Sequence, residues 1–277
     1  MEMKTVAGFF ILLLFVTGCN APETTIGHID RGTKNRSVLN PDNYKHYVEL
    51  FNRMEDENIK SFIPNEKAWE WMNENIPLFE CPQDNFNEIY YFRWWSLRKH
   101  IIRTPAGYAM TEFLVQRSYA DRYNLISCAL GHHIYESRWL RNPEYLTGNV
   151  HVWFRGNEGS PMAKLRKFSS WTADAVYNSY LVSGNKPFLL DLFPDLESEY
   201  YQWEADHRLP DGLFWQTDVA DGMEESISGG RRVKNARPTI NSYMYGNARA
   251  LAEMAALAGD SRSEERRVGK ECRSRGS

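Results

Sequence analysis

Helical periodicity recurs from one end of this chain to the other, and one long stretch lacks it. NPDNYKHYVELFNRMED, NEKAWEWMNENI and FNEIYYFRWWSLRKHI each place apolar residues at helical spacing. The first opens on Asn and Pro, which start helices, and the third ends in a basic turn that suits a helix C-terminus. RYNLISCALGHHIYESRWLRNPEYLTGNVHVWFRG reads as one or two helices broken near Asn142 and Pro143. MAKLRKFSSWTADAVYNSYLVSGN predicts a long helix ended by Gly184, and PFLLDLFPDLESEYYQWEADH another. The last, TINSYMYGNARALAEMAALAGD, carries Ile240, Met244, Ala248, Leu251 and Ala255 on one face. Only TPAGYAMTEFLVQ suggests a strand, at Thr111, Phe113 and Val115. The chain is therefore mainly α, and helical hairpins stacked in a ring fit the alternation. Between His207 and Thr239 the periodicity stops. A run of about thirty such residues inside a compact domain is uncommon and usually functional.

The two ends read differently from the body. An apolar run, AGFFILLLFV, follows MEMKTV. It is too short for a bilayer span, which needs ~20 residues, and it suits the apolar region of a signal peptide. VTGC then looks like a lipoprotein cleavage box. Residues 1–18 are expected to be a lipoprotein signal peptide, Cys19 the lipidated first residue, and 19–44 a polar tether. That places the protein at a bacterial cell envelope, held to a membrane, periplasmic or outer, by its lipid anchor. The final stretch, SRSEERRVGKECRSRGS, has six Arg or Lys, three Glu and no aromatic residue. It resembles a translated library adapter, so 261–277 is read as a non-native tail, and the native sequence is expected to continue past Asp260. Cys81 and Cys128 remain in the body, either paired or as buried thiols.

Charge and composition narrow the function. A net charge of −3 with no basic stripe gives no support for nucleic-acid binding. No GxGxxG, P-loop, nucleophile elbow or HExxH occurs, so no cofactor and no metal are expected. Nine Trp and fifteen Tyr supply either core material or flat faces for sugar rings.

Three constellations can carry chemistry. DGLFWQTDVADGMEESISGG sets Trp215 just before Asp218, Asp221 and Glu224, in the stretch without periodicity. A two-carboxylate glycosidase needs one acid kept protonated by burial or by like charge; turn residues and caps are the plain alternative. In GHHIYESRWLRN, Glu136 and Arg138 can grip hydroxyls beside Trp139. In SSWTADAVYNSY, Trp171, Asp174 and Tyr177 share a helical face, where Asp174 is either a buried anchor or a sugar ligand.

Seven segments in order, YYFRWWSLRKHI, TEFL, GHHIYESRWLRNPEYL, WFRG, SSWTADAVYNSYLVSGN, DGLFWQTDVADGMEESISGG and RPTINSYMYGNARALA, resemble bacterial glycoside hydrolases of the mannosylglycerate-hydrolase-like kind, relatives of processing α-glucosidase and trehalase among the six-hairpin glycosidases. The resemblance covers roughly residues 45–260. It implies a partial α/α toroid with about half of the barrel present, and inverting hydrolysis of α-linked oligosaccharides. Glu224 matches the general acid, with a Glu where those relatives have Asp; Asp218 and Asp221 are its alternatives. The resemblance puts Glu136 and Trp139 on the substrate, and the residue patterns above add Arg138, Trp171, Asp174, Trp215 and Asp218 as substrate-binding candidates. The general base of such enzymes comes from a later hairpin, so it is expected to be absent from this chain, which would then be inactive alone. The other reading is a non-catalytic glycan-binding lipoprotein on a helical toroid.

Overall fold

The structure, a computed structural model, describes residues 38–224 and 230–259; the signal peptide, Cys19, most of the tether and the tail at 261–277 lie outside them. The described residues are mainly α. Their helices are α1 (Lys45–Arg53), α2 (Ala68–Asn75), α3 (Asp84–Lys99), α4 (Ser127–Ser137), α5 (Glu144–Arg155), α6 (Thr172–Ser183), α7 (Lys186–His207) and α8 (Pro238–Ala258). Two small antiparallel pairs join them: β1 (Ile101–Thr104) with β2 (Gly107–Met110), and β3 (Trp215–Gln216) with β4 (Asn235–Ala236). No described helix is long and apolar enough to cross a membrane.

The two larger hydrophobic cores among the described residues follow the chain order. The first packs Phe51, Met72, Tyr91 and Trp95 of α1 to α3. YYFRWW is thus mostly packing, and Arg98 is wholly buried, donating to Asn65 Oδ1 at 2.7 Å rather than facing a cleft. The second core joins Leu130, Val150, Trp153, Val176, Leu192 and Met254 of α4 to α8. The β1–β2 hairpin and α5 straddle both: Met110 and Tyr145 belong to the first, Ala109 and Leu146 to the second. Arg155 ties α5 to α7, with Nε on Asp195 Oδ2 and Nη1 on Asp191 Oδ2, both at 2.8 Å.

The strand expected at Thr111, Phe113 and Val115 is not formed. Thr111 Oγ1 instead accepts from Phe113 N at 3.0 Å and donates to Phe113 O, closing a turn. The hairpin lies one step earlier, because Gly107, at φ 142, can take the backbone that closes the Pro105–Ala106 turn. The break near Pro143 does separate two helices, α4 and α5. Gly184 ends α6 in the left-handed conformation, as read, but α6 begins only at Thr172. Cys81 and Cys128 are free thiols.

The start of α6 is capped from elsewhere. Its N-cap residue, Trp171, makes no capping bond. Asn247 of α8 takes that part: its Oδ1 accepts from Asp174 N at 3.1 Å, and its Nδ2 donates to Ser170 O at 3.1 Å. One of the orphan N–H groups of the first turn is so satisfied by a neighbouring helix.

Candidate active site

The site is built where the N-terminal halves of α4, α6 and α8 meet the 207–239 segment. Trp171 is its wall. It lies so close to α4 that only a glycine fits opposite: a Cβ on Gly131 would stand 2.4 Å from Trp171 Cε2. Tyr135 sets its edge against the Trp171 ring, with centroids 4.5 Å apart, and His132 does so at 5.3 Å. Tyr243 of α8 is tilted 6.3 Å from the same indole. Asp174, one turn into α6, accepts from Tyr135 Oη at 3.3 Å and from Asn178 Nδ2 at 3.1 Å. Burial raises the Tyr243 pKa, and negative charge on Asp221 and Cys128 adds to it. The Cys128 thiol is pushed up to about 11 by burial first, then by negative charge from Glu112 and, more weakly, from Glu224.

The three acids of the loop have different fates. Asp218 is buried in an ion pair with Arg237, itself buried. Asp218 is thus paired inside the loop rather than presented to solvent, as a sugar ligand would be. Asp221 is also buried and accepts from Ser169 Oγ at 2.5 Å. Burial raises its pKa, against the lowering pulls of Ser169, Thr239, the Ile240 N–H and Arg237. Its place is therefore at the junction of the loop with α6 and the first turn of α8. Glu224 is the acid that emerges. Its side chain is 69% exposed, its backbone sits at φ 51, and Arg231 pairs with it at 3.0 Å. An exposed pair of this kind contributes little, about 0–1 kcal/mol.

The remaining predicted residues divide. Trp171 and Asp174 both contact Tyr135. Glu136 pairs with Arg93 of α3. Arg138 stacks over the Tyr135 ring at 4.0 Å and lies 5.2 Å from that of Trp139, which is half exposed; these two form a rim next to the wall. Trp215 is partly buried, with His207 stacked on it at 4.2 Å and Lys234 Nζ 4.0 Å from its centroid. Tyr135, Gly131, Ser169, Arg237 and Tyr243 complete the arrangement. Among the described residues no group of three or more His, Cys, Asp or Glu converges as a metal site would.

An aromatic wall at α4 and α6, and a loop that carries one solvent-facing and one buried carboxylate, supply residue types that can hold a sugar ring and offer a proton to a glycosidic oxygen. The comparisons agree with that chemistry. A solved chain named "Sialidase" superposes with a TM-score of 0.80 at 66% sequence identity, over 82% of this chain and 21% of that one. The chain thus spans about a fifth of the length of the sialidase chain it matches. Residues 122–273 match the family described as "Mannosylglycerate hydrolase MGH1-like glycoside hydrolase domain", a match that runs into the stretch read above as non-native. With more than half of its length in that match, and with a mainly α scaffold, the chain belongs to the mannosylglycerate hydrolase MGH1-like glycoside hydrolase family.

Proposed function

We propose that this chain is the acid-bearing part of an inverting glycosidase for α-linked oligosaccharides, anchored at the bacterial cell envelope through Cys19. The observation that carries the reading is the division among the loop acids. Asp218 and Asp221 are buried, and of the three acids Glu224 alone is exposed to solvent. Glu224 is then the general acid. Trp171 and Tyr135 form the sugar platform, with Arg138 and Trp139 on its rim and Asp174 beneath. Inversion needs a second carboxylate about 6.5–9.5 Å away, with room for a water. In this reading that base comes from chain beyond residue 260, so residues 45–260 bind but do not turn over glycan.

A second reading is favoured by one contact. Arg231 pairs with Glu224 and suits an ionised side chain, the state of a ligand rather than of an acid. A glycan-binding lipoprotein would use the same wall without the proton. The name of the matched sialidase chain adds a terminal acidic sugar to the substrates worth assaying.

One experiment separates these. The 277-residue chain and a version in which native downstream sequence replaces 261–277 are assayed side by side on α-linked oligosaccharides, sialylated ones included. Turnover by the long form alone supports the enzyme. Binding without turnover by both supports the binder. Robust turnover by the short form refutes the missing base.

A further inference from the structure

The segment that carries Glu224 is tied down by a side chain that touches no sugar. Arg237 is the N-cap of α8, in extended backbone at φ −122 and ψ 140. Its guanidinium turns back into the loop and is fully buried. Nη1 pairs with Asp218 on the outgoing limb. Nε donates to Gln216 O at 3.2 Å, and Nη2 donates to Val233 O on the returning limb at 3.0 Å. A planar fork with five donors can serve three acceptors in fixed directions, which an ammonium cannot match.

A second fastening follows a few residues on. Ser169, just before α6, donates Oγ to Asp221 at 2.5 Å and its N–H to Ala220 O at 2.8 Å. Within the outgoing limb, Asp221 N donates to Thr217 O at 2.9 Å and Met223 N to Asp218 O at 3.1 Å. Gly222, at φ 70, supplies the left-handed step of that turn. Residues from Gln216 to Met223 are thus fixed, and Glu224 comes next.

We infer that Arg237 and Asp218 are positioning residues that fix the loop limb from which Glu224 projects. The inference rests on the reading of Glu224 as the general acid. A buried ion pair is weak support for stability but well suited to specifying one geometry. Here it joins β3, both limbs of the loop and the first turn of α8 at a single group. Releasing it frees the acid without touching the wall.

Cys128 supplies the test, because Glu224 is among the charges that raise its thiol pKa. Cys19, Cys81 and Cys272 are replaced by Ser in the 277-residue chain, leaving Cys128 as the sole thiol. Alkylation by neutral iodoacetamide at pH 8 to 9 then reports its thiolate fraction. Glu224→Gln is expected to speed the reaction roughly two- to fivefold, as a nearby negative charge is removed. In Asp218→Asn/Arg237→Gln, which leaves no lone buried charge, that acceleration is expected to vanish. Arg237→Lys keeps the charge pair but not the fork, and is expected to lose the acceleration too. Circular dichroism and Tm identify the variants that fold. A full Glu224→Gln acceleration in any folded variant overturns the inference, and so does no acceleration in the parent. No turnover enters this readout, so hydrolysis that survives Glu224→Gln would refute the acid and leave the positioning intact.

Discussion

Trp171 and Gly131 meet across α6 and α4 at a distance that excludes any side chain on the glycine. An alanine there carries opposite effects. It gains helix propensity of about 1 kcal/mol. It also drives a methyl into the indole, and overpacking costs roughly 1–3 kcal/mol. The clash wins, because Trp171 is hemmed in by Tyr135 and His132 as well. Gly131→Ala is expected to destabilise the fold by about 1 kcal/mol in urea unfolding and to weaken glycan binding, read by quenching of tryptophan fluorescence. Unchanged glycan affinity would show that Trp171 is not the platform.

Glu224→Gln in the natively extended chain is expected to lower kcat on natural glycans by about 10²–10⁴-fold, the usual range for a general acid. Substrates with good leaving groups require less protonation and should lose much less. Equal losses on both substrate types would point away from proton donation.

His133 predicts acid sensitivity. Burial, with help from His100 and His132, lowers its pKa from 6.5 to about 3. Glu112, 3.9 Å from Nε2, is too far to hydrogen-bond and does not reverse this. The unfolded chain therefore binds a proton below pH 6.5 that the folded chain refuses until about pH 3. Stability should fall as pH drops through that window, by at most about 1.4 kcal/mol per pH unit for this one group. His133→Gln should flatten the fall, measured as unfolding free energy against pH, while an unaltered slope would assign the sensitivity elsewhere.

Asp221 predicts the opposite slope. Its raised pKa means that the folded state holds the proton more tightly than the unfolded one. Its contribution is fully present below the unfolded pKa and is lost as pH rises through the folded one. The stability of the parent relative to Asp221→Asn should accordingly decline from acid towards neutral pH. A difference that grows over that range would show the carboxylate to be stabilised as an anion.

Lipidation is read directly. Membrane-extracted protein should yield an acylated Cys19 as the first residue, and several acyl chains would hold it where one would not. An unmodified N-terminus further along would place the protein elsewhere.

The sequence carried the helices well where punctuation was local. α8 runs from Pro238 to a left-handed Gly259, and four of the five residues read onto its inner face are buried there. It misled where distant partners claim the backbone. MAKLRKFSS has helical composition, yet Met162 N donates to Trp153 O, Lys164 N to Asp121, and Ser169 N to Ala220 O. Those donors are spent before a helix can use them. The same holds for the site. The acids and Trp171 were visible as residue types, but the burial of Asp218 depends on Arg237, nineteen positions on. What covers Trp215 comes from both sides of it in sequence, His207 and Lys234. Tyr243 and Gly131 had no local signal beyond small or aromatic spacing.

The cap that Asn247 lends to α6 has a consequence for assembly on the ribosome. It reaches back 73 residues to Asp174 N and 77 to Ser170 O. Until α8 has left the exit tunnel and docked, the first turn of α6 lacks that acceptor, and Trp171, at its N-cap, has no fixed entry angle. The Trp171 wall is thus among the last features to set during synthesis, although its tryptophan is made long before. A nascent chain stalled ahead of residue 247 would hold both hydrophobic cores in part but no finished wall.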